Sequence, residues 1–309
     1  MNTHEAATSV DELPVYEGNI PETFEVKYVS QKDWRIGELL AFYIGGVGAG
    51  LYVLSQFMNF VPGLVVGFIL VVFGKNAAHL ISASRRTNAF RALTRPGSSW
   101  ISRGAYFILF FVIFGALDIA SHAGWIAWGG IVGKVISALA FAFALLVMIY
   151  LGFLMSGSRV IPLWNSPLLP ALFLSYSLAF GAALASILYP IAGAEYSAAF
   201  LTKLLLLTIS STLFLVLAHL MVTGSSNKAG RRSVDLLVKG TLKGTFIGGV
   251  LIVGLIIPLL ITGISQVAQS PTAAGTVIAG ILVLIGGWLF ERAMLKAAVY
   301  LPMIDIDLK

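Results

Sequence analysis

Eight apolar stretches, each about as long as a bilayer is thick, dominate this chain. They read as spans at 36–57, 64–83, 104–123, 132–154, 167–188, 197–222, 244–266 and 273–295. A helix crosses the hydrocarbon core with roughly 20 residues, and in lipid each backbone N–H and C=O must find its partner within the segment. The expected fold is therefore all-α, a polytopic membrane protein with about eight transmembrane helices in a bundle. Charged residues make up 11% of the chain, against roughly 25% in a soluble globular domain, so little is left from which to build a water-soluble domain. The expected layout is a polar, acidic extramembrane tail over 1–35, an eight-helix domain over 36–296 and a short tail over 297–309.

Loop charges test that map. Arg85, Arg86, Arg91, Arg95 and Arg103 follow the second span, Arg159 the fourth, and Lys228, Arg231, Arg232, Lys239 and Lys243 the sixth, while Arg292, Lys296 and Lys309 close the chain. The connections on the opposite side carry no Lys or Arg. An even span count puts both termini on the basic side, which the positive-inside rule assigns to the cytoplasm. The formal net charge of +6 follows from those loops and does not point to nucleic acid. The first 26 residues hold Glu5, Asp11, Glu12, Glu17, Glu22 and Glu25 with no Lys or Arg, so no cleavable signal peptide is expected. With Val15, Tyr16, Phe24, Val26 and Tyr28, the tail over 1–35 suits an arm that orders on a partner subunit more than a disordered spacer. There is no cysteine, which excludes disulfides and any iron–sulfur cluster held by this chain alone.

Ionisable residues inside spans are costly and are functional candidates. Lys75 and His79 are four apart and share a helix face, and Asp118 lies deep in the third span. Each suits a proton path or, equally, a buried structural pair. Lys134 and Lys203 lie near span ends, where they can snorkel; His219 and Glu291 lie toward the basic side, where solvation or pairing explains them. The membrane histidines, His79, His122 and His219, do not supply facing pairs for bis-His haem, so no redox metal is expected on this chain. Small residues at Gly45, Gly46, Ala49 and Gly50 mark close helix packing rather than a phosphate loop, for no strand precedes them.

The stretch YLGFLMSGSRVIPLWNSPLLPALFLSYSLAFGAAL over 150–184, with Tyr150, Gly152, Pro162-Leu163-Trp164-Asn165 and Pro167-Leu168-Leu169, resembles the NrfD / polysulfide reductase family of membrane subunits. So do Trp34, Glu38 and Gly45–Gly50, and Thr94-Arg95-Pro96 leading into Ser98–Ala105. The resemblance covers nearly all of the membrane part. It implies an eight-helix bundle without cofactors of its own, a ferredoxin-like [4Fe–4S] partner subunit, a molybdopterin (Mo or W) catalytic subunit, and a quinone site (menaquinone or ubiquinone) near the docking side. The function it implies is that of an anchor subunit of a respiratory oxidoreductase in a bacterial or archaeal cytoplasmic membrane, non-catalytic toward the substrate but quinone-reactive.

By the same resemblance Tyr150 matches a tyrosine that contacts quinone, and Glu38 falls near a polar residue of the first span that contacts the ring. A histidine expected one turn on is Ala41 here; Tyr43 replaces it only if the helix rotates, and Trp34 completes the set. The span map agrees, since the first span begins and the fourth ends on the basic side, leaving Glu38 and Tyr150 at similar depth. A carboxyl and a phenol supply a donor and a proton route; a tyrosine at that depth is otherwise an interface-belt residue. Glu38, Asp118, Lys75 and His79 are the proton-path candidates, and Arg85, Arg86, Arg95 and Arg103 the docking candidates, which otherwise only set topology. The competing functions are a passive anchor without quinone chemistry and a secondary transporter, though no internal repeat marks the latter.

Overall fold

A computed structural model describes residues 28–32, 34, 36–82, 93–193 and 197–302. Among them eight helices are long and apolar enough to cross a membrane: α1 (Ile36–Phe57), α2 (Val61–Ile81), α3 (Trp100–His122), α4 (Gly130–Ser156), α5 (Leu169–Ile191), α6 (Ala198–Ser226), α8 (Gly244–Val267) and α9 (Ala273–Lys296). Between α6 and α8 lies a short helix, α7 (Lys228–Val238). The unit they form spans Tyr28–Leu301, and the chain is a multi-pass membrane protein.

Helix ends follow local chemistry. α2 starts before the apolar run because Pro62 sits in its first turn, where a missing N–H costs nothing. α3 starts at Trp100, with the Ser99 side chain accepting from the Ser102 N–H. α7 was not expected, since its eleven residues, KAGRRSVDLLV, are too few and too polar for a span. The Asn227 side chain accepts from Gly230 N at 2.9 Å and opens it, and it buries Ala229, Gly230, Ser233 and Leu237 while Arg231 and Arg232 stay exposed.

The centre of the bundle is α1 against α5, with 61% and 67% of their apolar windows buried, against 28–44% in the other six. The small residues of α1 explain this. A side chain at Gly50 would strike the Ser177 backbone, and one at Gly181 the Gly50 backbone, so the two helices touch main chain to main chain. Gly48 packs on Gly67 of α2 in the same way, so alternating glycines on α1 admit α2 on one face and α5 on the other.

One end of the bundle is tied together by backbone. Ser30 pairs with Val299, Gln31 N donates to Ala298 O at 2.9 Å, and Leu301 N donates to Val160 O at 2.8 Å. Gln31 Nε2 and Trp164 Nε1 each donate at 3.0 Å to carbonyls at the end of α9, those of Leu295 and Met294. Arg95, Arg159, Arg231, Arg232, Lys239, Lys243, Arg292 and Lys296 are exposed, and all belong to connections or helix ends on this side; below it is the basic end.

Candidate functional site

Lys75 closes a stretch of α2, Leu70–Lys75, wound in wider i→i+5 turns. Such turns re-aim the side chains that follow them and concentrate at functional sites. Here the lysine points inward and is 1% exposed. Its stem lies over Gly45, where an added Cβ would stand 2.7 Å from Cδ. The ammonium is 5.2 Å from the Phe42 ring centre and 5.1 Å from that of Tyr150, and 3.3 Å from His79 Nε2. Among the described residues no carboxylate lies within ion-pair distance of it. Two aromatic faces and an imidazole therefore hold a cation that costs several kcal/mol to desolvate.

Tyr150 is buried, and its ring lies against Gly104 of α3, where any Cβ would overlap it. Glu38, Phe42 and Gly45 fall at i, i+4 and i+7 on α1, so they share one face. Glu38, half-buried and not without a partner, stands about 10 Å nearer the basic end than Gly45 at 1.5 Å per residue. Trp34 lies 5.4 Å from Phe42 and 5.2 Å from Trp164, ring centre to ring centre. It also lines a cleft of about 740 Å³ shared with Gln31, Leu39, Leu236, Arg292 and Lys296. Trp34 thus borders that cleft and packs on Phe42, whose ring lies against the Lys75 ammonium.

The remaining candidates fall elsewhere. Tyr43 faces α9, where its hydroxyl donates to Leu284 O at 2.8 Å and its ring abuts Phe180 and Trp288. Asp118 lies toward the opposite end from Glu38, in a complete shell. It accepts from Tyr52 Oη at 2.6 Å, from Gln56 Nε2 at 2.7 Å and from the Ser137 hydroxyl, with His122 Nδ1 at 3.3 Å. Between the Lys75 layer and the Asp118 layer come Ala49, Val71, Phe111 and Ala144, all fully buried. Replacing Asp118 by alanine strands the buried Tyr52 hydroxyl, at about 1 kcal/mol or more, and removes the acceptor of the half-buried Gln56 and Ser137 donors. The variant is expected to melt at clearly lower temperature in detergent, and a wild-type melting curve would contradict this structural account of the shell.

Arg85 and Arg86 lie outside the described residues. Arg95 is exposed. Arg103 is engaged locally, donating to the carbonyls of Pro96 at 2.8 Å and Gly97 at 2.7 Å while stacking on Trp100. Among the described residues no three His, Asp or Glu side chains converge as a metal set. Two residues expected to be solvated or paired are instead buried: His219, whose ring nitrogens make no hydrogen bond of good geometry, and Glu291. The sequence does hold a signal for Glu291, which shares its helix face with Gly287 and Met294, an apolar stripe rather than a solvated one.

A family model described as polysulphide reductase, NrfD, matches residues 30–302. No curated protein matches the chain.

Proposed function

Because the chain belongs to the NrfD family, membrane subunits of respiratory oxidoreductase complexes, we propose that it passes electrons between an iron–sulfur partner subunit and membrane quinone, with the quinone head beside Lys75 and Tyr150. The observation that carries this reading is the buried ammonium of Lys75 held between the Phe42 and Tyr150 rings, with no carboxylate of the described residues within ion-pair distance. The residues fit a quinone head: two aromatic rings, the Tyr150 phenol and the Lys75 side chain in one buried layer, with Trp34 packed on Phe42. A quinone/quinol pair supplies the exchange of two electrons and two protons. Tyr150 donates a hydrogen bond to a carbonyl oxygen, Lys75 stabilises negative charge developing there, and the Phe42 and Tyr150 rings keep water from the head. His79 and Glu38 continue the same face of polar groups toward the basic end and relay protons.

The partners in this reading are a ferredoxin-like [4Fe–4S] subunit docked on the basic end and a molybdopterin (Mo or W) subunit beyond it. Exposed Arg95, Arg231 and Arg232 offer charge to such a partner, and the positive-inside rule places that end in the cytoplasm. The Asp118 shell serves the bundle's structure in this account, since an apolar layer parts it from Lys75.

A photoreactive quinone analogue added to the complex, purified gently from its native membrane, tests the site. Label is expected on peptides containing Phe42, Lys75–His79 and Tyr150, and Tyr150→Phe is expected to slow quinone-linked turnover about a hundredfold, the usual scale for a lost acid–base group. Label confined to the lipid-facing residues of α6 and α8, with Tyr150→Phe at wild-type rate, would favour a passive anchor.

A further inference from the structure

The face of α1 opposite Lys75 carries a second polar cluster. Glu291 is 5% exposed on α9, one helical turn beneath Leu295, which lines the cleft with Arg292 and Lys296. Among the described residues its carboxyl makes no hydrogen bond and no ion pair. Beside it, Tyr176 of α5 stacks on Phe290 with ring centres 4.3 Å apart, and the Tyr176 hydroxyl is buried without a hydrogen-bond partner among the described residues. Tyr43 of α1 reaches the same region, edge-on to Phe180 and Trp288. Glu291 lies within electrostatic reach of Tyr43, Tyr176 and, across α1, Lys75. The other packed elements add little charge here: α8 has no ionisable residue, and α6 has only Lys203, near its start at the far end, and His219 beside the Leu163 backbone.

An isolated carboxyl in an apolar surround is expensive, and evolution usually pairs it or removes it. A fixed structural role would show fixed donors, as Asp118 does. Glu291 has instead one cation at a distance and phenols around it, the surroundings of a group whose charge changes with its neighbours' charge. We propose that Glu291 is a second proton-exchange carboxyl of the quinone site, carrying one of the two protons exchanged per quinone between that site and water in the cleft beside Arg292 and Lys296. In the reducing direction two electrons come from the partner's iron–sulfur clusters. One proton arrives on the Glu38 face and the other leaves the Glu291 carboxylic acid, which then regains a proton from cleft water. Quinol oxidation runs the same steps backwards, and the carboxyl is unchanged after each cycle. The inference rests on the quinone reading above.

The test uses the purified complex carrying Glu291→Gln or Glu291→Asp. Glutamine keeps the volume and removes the titration; it is expected to slow quinone-linked turnover about ten- to a hundredfold and to flatten the pH profile, with labelling by the photoreactive quinone unchanged. Aspartate is expected to restore part of the rate and the pH dependence. The redox-induced infrared difference spectrum of the wild-type complex is expected to contain a carboxyl C=O band that shifts in deuterium oxide and is missing from Glu291→Gln. Wild-type turnover, pH profile and infrared band in Glu291→Gln would overturn the inference alone. Should the glutamine variant fail to assemble, wild-type spectra without a deuterium-sensitive carboxyl band would overturn it as well. Absence of quinone labelling in the wild-type complex would instead overturn the reading beneath it.

Discussion

Replacing Lys75 by methionine is expected to lower quinone-linked electron transfer by roughly 100- to 1,000-fold, the scale seen when one preorganised stabiliser of developing charge is removed. The fold should survive the change. Methionine has nearly the reach of lysine and lies over Gly45 as the lysine stem does. The ammonium it removes is 1% exposed, with no carboxylate of the described residues within ion-pair distance, and exchanging such a buried charge for an apolar chain of similar volume is neutral or stabilising. The variant therefore separates the two roles of a buried lysine: rate of electron transfer and thermal stability are measured on the same purified complex. Loss of rate at an unchanged or raised melting temperature supports an electrostatic role; loss of both would make Lys75 a packing residue.

Gly181→Val is expected to have the largest effect on stability. The substituent would enter the Gly50 backbone, and nothing there is a flexible side chain that can swing aside. Overpacking a tight contact costs about 1–3 kcal/mol and occasionally more, and this one separates the two most buried spans of the bundle. Folded protein recovered from the membrane should fall sharply, with a lower melting temperature in what remains. Gly97→Ala, where nothing lies within 4 Å of the added carbon, is the matched control and should behave as wild type. Equal melting of the two variants would contradict the account of α1 against α5.

The bundle was legible because hydropathy and loop charge report directly on the solvent each segment meets, and eight apolar runs became eight membrane-length helices. The small residues of α1 were legible as a packing face, but not that they serve two: Gly46 and Gly50 face α5, while Gly45 and Gly48 face α2. Lys75 and His79 were legible as neighbours from their spacing. That Lys75 turns into the bundle toward Tyr150 depends on the wide turns at Leu70–Lys75, a departure from regular winding that no periodicity records. Tyr43 illustrates the same limit, since its direction toward Leu284 is set by the rotation of α1 as a whole. Glu291 was misplaced because closeness to a helix end suggests solvent, whereas its apolar face and the neighbouring aromatics bury it. α7 escaped notice because amphipathic helices at a membrane surface are short and charged, unlike the spans around them.

The most direct test of the central claim is to follow the iron–sulfur signal of the intact complex by electron paramagnetic resonance as quinone is added. Purified gently from its native membrane, the wild-type chain should bring with it a cluster-bearing subunit whose reduced signal disappears on mixing with quinone, and the signal should persist in the complex carrying Lys75→Met. A chain that purifies from intact membranes alone and without iron, or a cluster that wild-type complex leaves reduced in the presence of quinone, would contradict it.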